Sequence, residues 1–254
     1  MIFYRLSVLL WWSKSRWIFE PIVRRLLQGA RDIKTGPLRG HQFRGGLAQM
    51  LGIYEVSIQS TINHYIAPGD VFYDIGANNG FFTLFACQRV GTDGSVFSFE
   101  PFPENAKSIQ NVIRDNHLTN CHLEECAVAD FVGETNLYFD GSLATPSITH
   151  QAMEMSTSIL VPTITLDEYL LSHPKPSLIK LDVEGAEVAV LKGARSLIAS
   201  ESPPTWIIEV HNPLDVREIC SLLLPGKYEI EQLPKPGKQG NIFPVHMIAF
   251  RHEE

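Results

Sequence analysis

The 254-residue sequence is short of three things, and each shortage removes a class of protein from consideration. No apolar run comes near the roughly 20 residues that cross a bilayer as a helix, so no spanning segment is expected. There are only four cysteines (Cys87, Cys121, Cys126 and Cys220), with no C-x-x-C pair and no metal-ligand spacing. In a chain this long they read as reduced thiols of a cytoplasmic protein that fill core space. Positive charge is also scarce: the net charge of −7 argues against a nucleic-acid partner, which a basic surface would favour.

The scarcity is uneven. Residues 1–45 hold nine of the 21 basic and two of the 28 acidic residues, leaving twelve basic and 26 acidic for the rest. Within the basic head, Ile18, Ile22 and Leu26 recur at helical spacing, as do Phe19, Val23 and Leu27. Trp11, Trp12 and Trp17 accompany them, with Arg24 and Arg25 beside or opposite the apolar face. The stretch from Leu6 to Trp12 follows a single Arg and lacks a small-residue cleavage site, which fits a secretory signal poorly. Two readings remain for residues 1–30: peripheral contact with the inner membrane surface, or an arm that packs on the body or on a second subunit. The division expected is a helical, aromatic-rich extension over 1–50 and one domain over 51–254, with a linker and entry loop near 31–52.

What is abundant is ordinary globular composition, 44% apolar and 19% charged, arranged as alternating strand and helix patterns. Helices are expected over 55–65, 80–89, 103–116, 186–199 and 215–223, with a capped start at Thr165 followed by Glu168. Strands are expected over 71–75, 96–100, 122–128, 133–139, 159–164, 178–183, 206–211, 228–233 and 245–251. The alternation predicts an α/β doubly wound, mainly parallel sheet with helices on both faces. The last two strands have no helix between them, so one antiparallel C-terminal strand is expected.

In such a sheet ligands sit at the carboxyl ends of the strands, near the point where strand order reverses. The first end, Asp74-Ile75-Gly76-Ala77-Asn78-Asn79-Gly80, is glycine-rich, but its G-x-x-x-G spacing departs from the G-x-G-x-x-G of NAD sites. Glu100 closes the second strand, where a carboxylate can accept hydrogen bonds from ribose hydroxyls. Pro101 and Phe102 follow and bring an aromatic ring toward a base, and Ala127 and Val128 offer a flat, small-residue surface at the third end. The fourth, Ile179-Lys180-Leu181-Asp182-Val183-Glu184-Gly185-Ala186-Glu187, gathers acids and a lysine where an apolar strand meets a helix; helix capping by Asp182 or Glu184 is an alternative role. The fifth ends in Glu209-Val210-His211.

In order along residues 68–212, DIGANNG (74–80), FEP (99–101), TLDEY (165–169), IKLDVEGAE (179–187) and LKGA (191–194) resemble the FkbM-type methyltransferases. IKLDVEGAE is the most specific element. The resemblance implies a class I methyltransferase (Rossmann-like) fold, S-adenosylmethionine as methyl donor, and O-methyl transfer to a hydroxyl of a sugar, glycan or natural product. Asp74, Gly76, Ala77, Asn78, Asn79, Gly80, Glu100, Pro101, Phe102, Ala127, Val128 and Asp182 are then the expected cofactor-binding residues.

Removing the hydroxyl proton asks for a base. His211 is the first choice, with Glu209 as its orienter and Asp182 or Glu184 as substitutes. Asp182, Glu209 and His211 could also gather around a hard divalent cation, but no spacing demands one, and no metal is expected. A nucleic-acid methyltransferase is disfavoured by the acidic body and by Asp-Val-Glu-Gly at the fourth strand end. A methyltransferase-fold binding or scaffold module without turnover is the remaining alternative.

Overall fold

The computed structural model describes residues 32–139, 146–149, 157–234 and 244–251. The basic head at 1–30, most of the Ser/Thr-rich loop and the Pro/Gly-rich excursion near 235–243 lie outside the described residues. In chain order, α1 (Leu47–Met50) and α2 (Val56–Tyr65) precede β1 (Val71–Ile75), α3 (Phe81–Val90), β2 (Ser95–Phe99) and α4 (Pro103–Asp115). Then come β3 (Cys121–Glu124), β4 (Ala127–Val128), β5 (Gly133–Phe139), β6 (Thr157–Ile164), α5 (Leu166–Tyr169) and β7 (Leu178–Leu181). The chain continues through α6 (Glu187–Lys192), α7 (Arg195–Ile198), β8 (Thr205–Val210), α8 (Val216–Leu223), β9 (Glu229–Gln232) and β10 (Val245–Phe250).

Seven strands form one sheet in the order β3-β2-β1-β7-β8-β10-β9. The crossover from β1 to β7 is the switch point where ligands bind in such sheets. Strand β10 runs antiparallel to both neighbours and is the one reversed strand. Because side chains alternate across a strand, each strand feeds two layers. Tyr73, Ile75, Phe99, Ile179, Trp206 and Ile208 pack on the face covered by α6, α7 and α8. Phe72, Val96, Leu178 and Ile207 pack on the other, against α2 and α3. Ile33, Leu38, Phe43 and Met50 are buried in that second layer, so the stretch read as a linker is packed against the body.

Two elements depart from the sequence patterns. The strand expected over 122–128 is divided: β3 pairs with β2, whereas β4 joins β5 and β6 in a separate three-stranded sheet. The helix expected over 186–199 breaks at Gly193, because a Cβ there would lie 2.0 Å from the carbonyl oxygen of Ala129. Asp167 caps the second piece by accepting from the backbone N–H groups of Ser196 and Leu197 at 2.9 and 3.0 Å. At the expected cap, Thr165 Oγ1 accepts from Glu168 N at 3.1 Å.

The tightest point lies at the end of β1. Gly76 has φ +79°, and a Cβ on it would sit 1.8 Å from the backbone oxygen of Asp182. Gly69 has a similar φ of +92° with open space around it. Gly69→Ala should therefore lose only the left-handed penalty, about 1–2 kcal/mol. Gly76→Ala should lose distinctly more, since backbone must also move. Urea denaturation of the two variants checks this, and equal losses would contradict the close approach.

Candidate active site

The turn after β1 is built by its neighbours. Gly76 N and Ala77 N both donate to the carbonyl of Phe99 at 3.0 and 3.1 Å, and Asp182 N donates to that of Ile75 at 3.0 Å. Asn78 takes φ +51°, a region Asn tolerates better than most residues, and its N–H donates to Glu100 Oε2 at 2.7 Å. Phe102 N donates to Glu100 Oε1 at 2.9 Å. Burial pushes the Glu100 carboxyl up to about 7 against the pull of these amides and of Asn105. The group is thus fixed in place, and its three donors leave lone-pair capacity on the carboxylate for a ligand hydroxyl.

Above it lies a cavity of about 580 Å³, its open mouth included. Of the residues expected at the cofactor, Gly76, Asn78, Glu100, Pro101, Ala127, Val128 and Asp182 line it. Others support it from behind. Asp74 is fully buried beneath the turn, Gly80 begins α3 with φ +81°, Ala77 is buried, and Asn79 bonds Gln49. Phe102 is a correction: its ring packs at 4.9 Å from Phe139 in the layer under the small sheet and is not a cavity-lining residue. Its backbone amide, not its ring, serves the site. Ser147 and Ile148, between β5 and β6, also line the cavity. Ser147 Oγ donates to the carbonyl of Glu184 at 2.7 Å.

The β7 end carries the charges. Parallel register sets Asp74 beside Lys180, and the Lys180 Nζ lies 2.9 Å from Asp182 Oδ2 and 4.0 Å from Asp74 Oδ1. The ammonium also sits 5.1 Å from the Phe82 ring centre. Burial works against the charge on Lys180, but Asp182 and Asp74 outweigh it and hold the group protonated. Asp74 Oδ2 accepts from Thr83 Oγ1 at 2.8 Å, and burial raises the Asp74 carboxyl despite Lys180.

Asp182 and Glu184 line the cavity, and His211 lies against both. The His211 Nε2 lies 3.2 Å from Glu184 Oε2 and 3.8 Å from Asp182 Oδ1. Glu184 adopts φ +52°, and Gly185 follows with +99°. Burial, with Asp182, Glu209 and Glu187 nearby, pushes Glu184 up to about 7, opposed by His211. For His211, burial disfavours the charged form, but Glu187, Asp182 and Glu184 outweigh it and raise the ring to about 9.

Glu209 does not orient His211. Strand β8 ends at Val210, so His211 has left the pleat, and its Nδ1 lies 2.8 Å from Glu187 Oε1 on α6. Glu209 faces His246 across the antiparallel β8–β10 pair, with 2.9 Å between Oε2 and Nε2. Burial raises the Glu209 carboxyl, but His246, Lys180 and His211 outweigh it and bring the group to about 2. The trio weighed for a cation is thus split. Asp182, Glu184 and His211 form one group and Glu55, Glu209 and His246 another, each with ligand atoms within 4.8 Å. In the first group Lys180 and the His211 imidazolium already supply counter-charge, and we assign neither group a metal. Glu187 and His246 were missed as site residues. A Glu in the first turn of a helix after the acidic run was the available signal for Glu187, and nothing local pointed to His246.

Comparison with known proteins places this geometry. The model of the methyltransferase FkbM domain matches residues 74–230. Hexuronic acid methyltransferase AglP of Haloferax volcanii is 29% identical over 164 residues, 64% of this chain and 64% of that protein. The 31-O-demethyl-FK506 methyltransferase FkbM of Streptomyces tacrolimicus is 37% identical over 76 residues, 29% of this chain and 28% of that protein. The chain thus spans just under two thirds of the first relative and just over a quarter of the second. A precorrin-6y C5,15-methyltransferase from Geobacter metallireducens shares the fold, with TM-score 0.50 over 82% of this chain and 95% of that one at 12% identity. Among the described residues no helix is long and apolar enough to cross a membrane.

Lys180→Met should destabilise the protein by about 3–5 kcal/mol, because it strands two carboxylates around a buried gap. Urea denaturation near neutral pH reads this directly. The raised His211 adds a pH signature: its stabilisation is complete below its ordinary value of 6.5 and is lost as pH rises through about 9. His211→Ala should accordingly cost more stability near pH 6 than near pH 10.

Proposed function

The chain belongs to the FkbM methyltransferase family, and we propose that it transfers a methyl group from S-adenosylmethionine to a hydroxyl of a sugar, glycan or natural product. The observation that carries this reading is the position of Glu100. Its carboxylate, set by two backbone amides, opens into the cavity that Asp182 and Glu184 also line, and those two acids face the His211 imidazole. A site for a nucleoside thus adjoins an acid–base centre. The chain's likeness to a hexuronic acid methyltransferase and a 31-O-demethyl-FK506 methyltransferase supports an oxygen-bearing acceptor of this class.

In this reading Glu100 accepts from the ribose hydroxyls. Gly76 allows the backbone to approach, Ala127 and Val128 face the base, and Asp182 closes the reacting end. Bound there, S-adenosylmethionine supplies an electrophilic methyl group on a sulfonium centre. His211 takes the acceptor's hydroxyl proton as the oxygen–carbon bond forms, a role worth about 10²–10⁴-fold in rate. The neighbouring carboxylates stabilise the imidazolium that results. Glu184, pushed up to about 7, is the second group at the rim able to hold that proton.

Titration calorimetry should show S-adenosylmethionine binding, weakened about tenfold or more in Glu100→Ala, the size expected when charge-assisted hydrogen bonds are lost. His211→Ala should bind the cofactor as the parent does and lose turnover with labelled cofactor on a panel of hexosides, hexuronides and macrolides. Turnover in the parent should rise with pH as His211 loses its proton and level off above about 9. Cofactor binding without transfer to any acceptor would favour a scaffold role, and full activity in His211→Ala would remove that residue from the chemistry.

A further inference from the structure

Glu187 is the first residue of α6 and is fully buried. Its Oε1 accepts from Gly185 N at 2.9 Å and lies 2.8 Å from His211 Nδ1. A carboxylate oxygen only accepts, so Nδ1 carries the hydrogen in this contact. In the neutral ring that leaves the lone pair on Nε2, the nitrogen that faces Glu184 and Asp182 at the cavity rim. We propose that Glu187 is a positioning residue for methyl transfer, fixing His211 in the Nδ1–H tautomer so that Nε2 is the nitrogen presented to the acceptor hydroxyl. This rests on the reading of His211 as the base.

Glu187 differs from the other acids around the ring. Asp182 and Glu184 come from the partly exposed turn before α6, and Glu209 acts from two residues back along β8. Among the described residues only Glu187 touches Nδ1, and its side chain has no exposure to solvent that would screen it. Its other oxygen, Oε2, has no hydrogen-bond partner among the described residues, so its hydrogen-bonded contacts are those through Oε1. The tautomer is therefore set from behind the ring, by a group that no acceptor reaches. The same carboxylate stabilises the imidazolium once the hydroxyl proton has moved to Nε2.

The test uses the full chain labelled with ¹⁵N-histidine. The parent's neutral His211 should show the Nδ1–H signature. Glu187→Gln, whose amide oxygen still accepts, should keep that signature while its titration midpoint falls by at least about one unit, tenfold in proton affinity. Glu187→Ala should mix the tautomers. The pH profile of labelled methyl transfer should move to lower pH in Glu187→Gln, with cofactor affinity unchanged. An unmoved midpoint in folded Glu187→Gln, or loss of the Nδ1–H signature there, would overturn the proposal, even if Glu187→Ala fails to fold. Retained turnover in His211→Ala would instead overturn the base reading on which it stands.

Discussion

A single ammonium group, buried between two carboxylates at the centre of the sheet, is the constraint around which the site is arranged. Lys180 stands beside Asp74 in register and within hydrogen-bond distance of Asp182. Burial disfavours the Asp74 carboxylate and the Lys180 ammonium alike; each favours the charged form of the other, and Asp182 adds to the pull on Lys180. Through Thr83 and Phe82 the same group ties α3 to the sheet. The turn after β1 and the turn after β7 thereby hold one fixed separation, and the cavity between them inherits its shape.

That arrangement places unlike tasks on one short segment. Asp182, Glu184 and Glu187 belong to a stretch of six residues, yet they face Lys180, the cavity rim and the buried side of an imidazole in turn. The left-handed backbone at Glu184 and Gly185 makes this possible, because a continuous helix would set Glu184 and Glu187, three residues apart, on one face. For Glu184 that conformation costs about 1–2 kcal/mol, a strain of the kind concentrated at functional sites. Ser147 supports the turn by donating to the Glu184 carbonyl.

The sheet was legible because each strand is a short apolar run bounded by turn residues, and the reversed strand followed from the missing helix before β10. The division of residues 121–128 was not legible. Nothing in that run signals that β4 changes partners, since the choice depends on β6, more than 30 residues away. In the site the same rule holds. Asp182, Glu184 and His211 follow the ends of adjacent strands and lie together, whereas Glu209, expected to gather with Asp182 and His211, faces His246. Its partner His246 comes from the reversed strand, and pairing across an antiparallel register leaves no trace in local spacing. Phe102 failed for a different reason: the small sheet offers its ring a drier place than the cavity.

The contact between Gly76 and the backbone of Asp182 bears on how such a protein can diverge. Donor turn and acceptor rim touch main chain to main chain, so neither can lengthen or change shape without displacing the other. Insertions at either turn would meet immediate steric cost. Between β5 and β6, Ser147 and Ile148 line the same cavity, and Ser147 meets the second turn through its side chain, at the Glu184 carbonyl. A side chain can be exchanged there without moving main chain, while the two turns are held to their present lengths by each other.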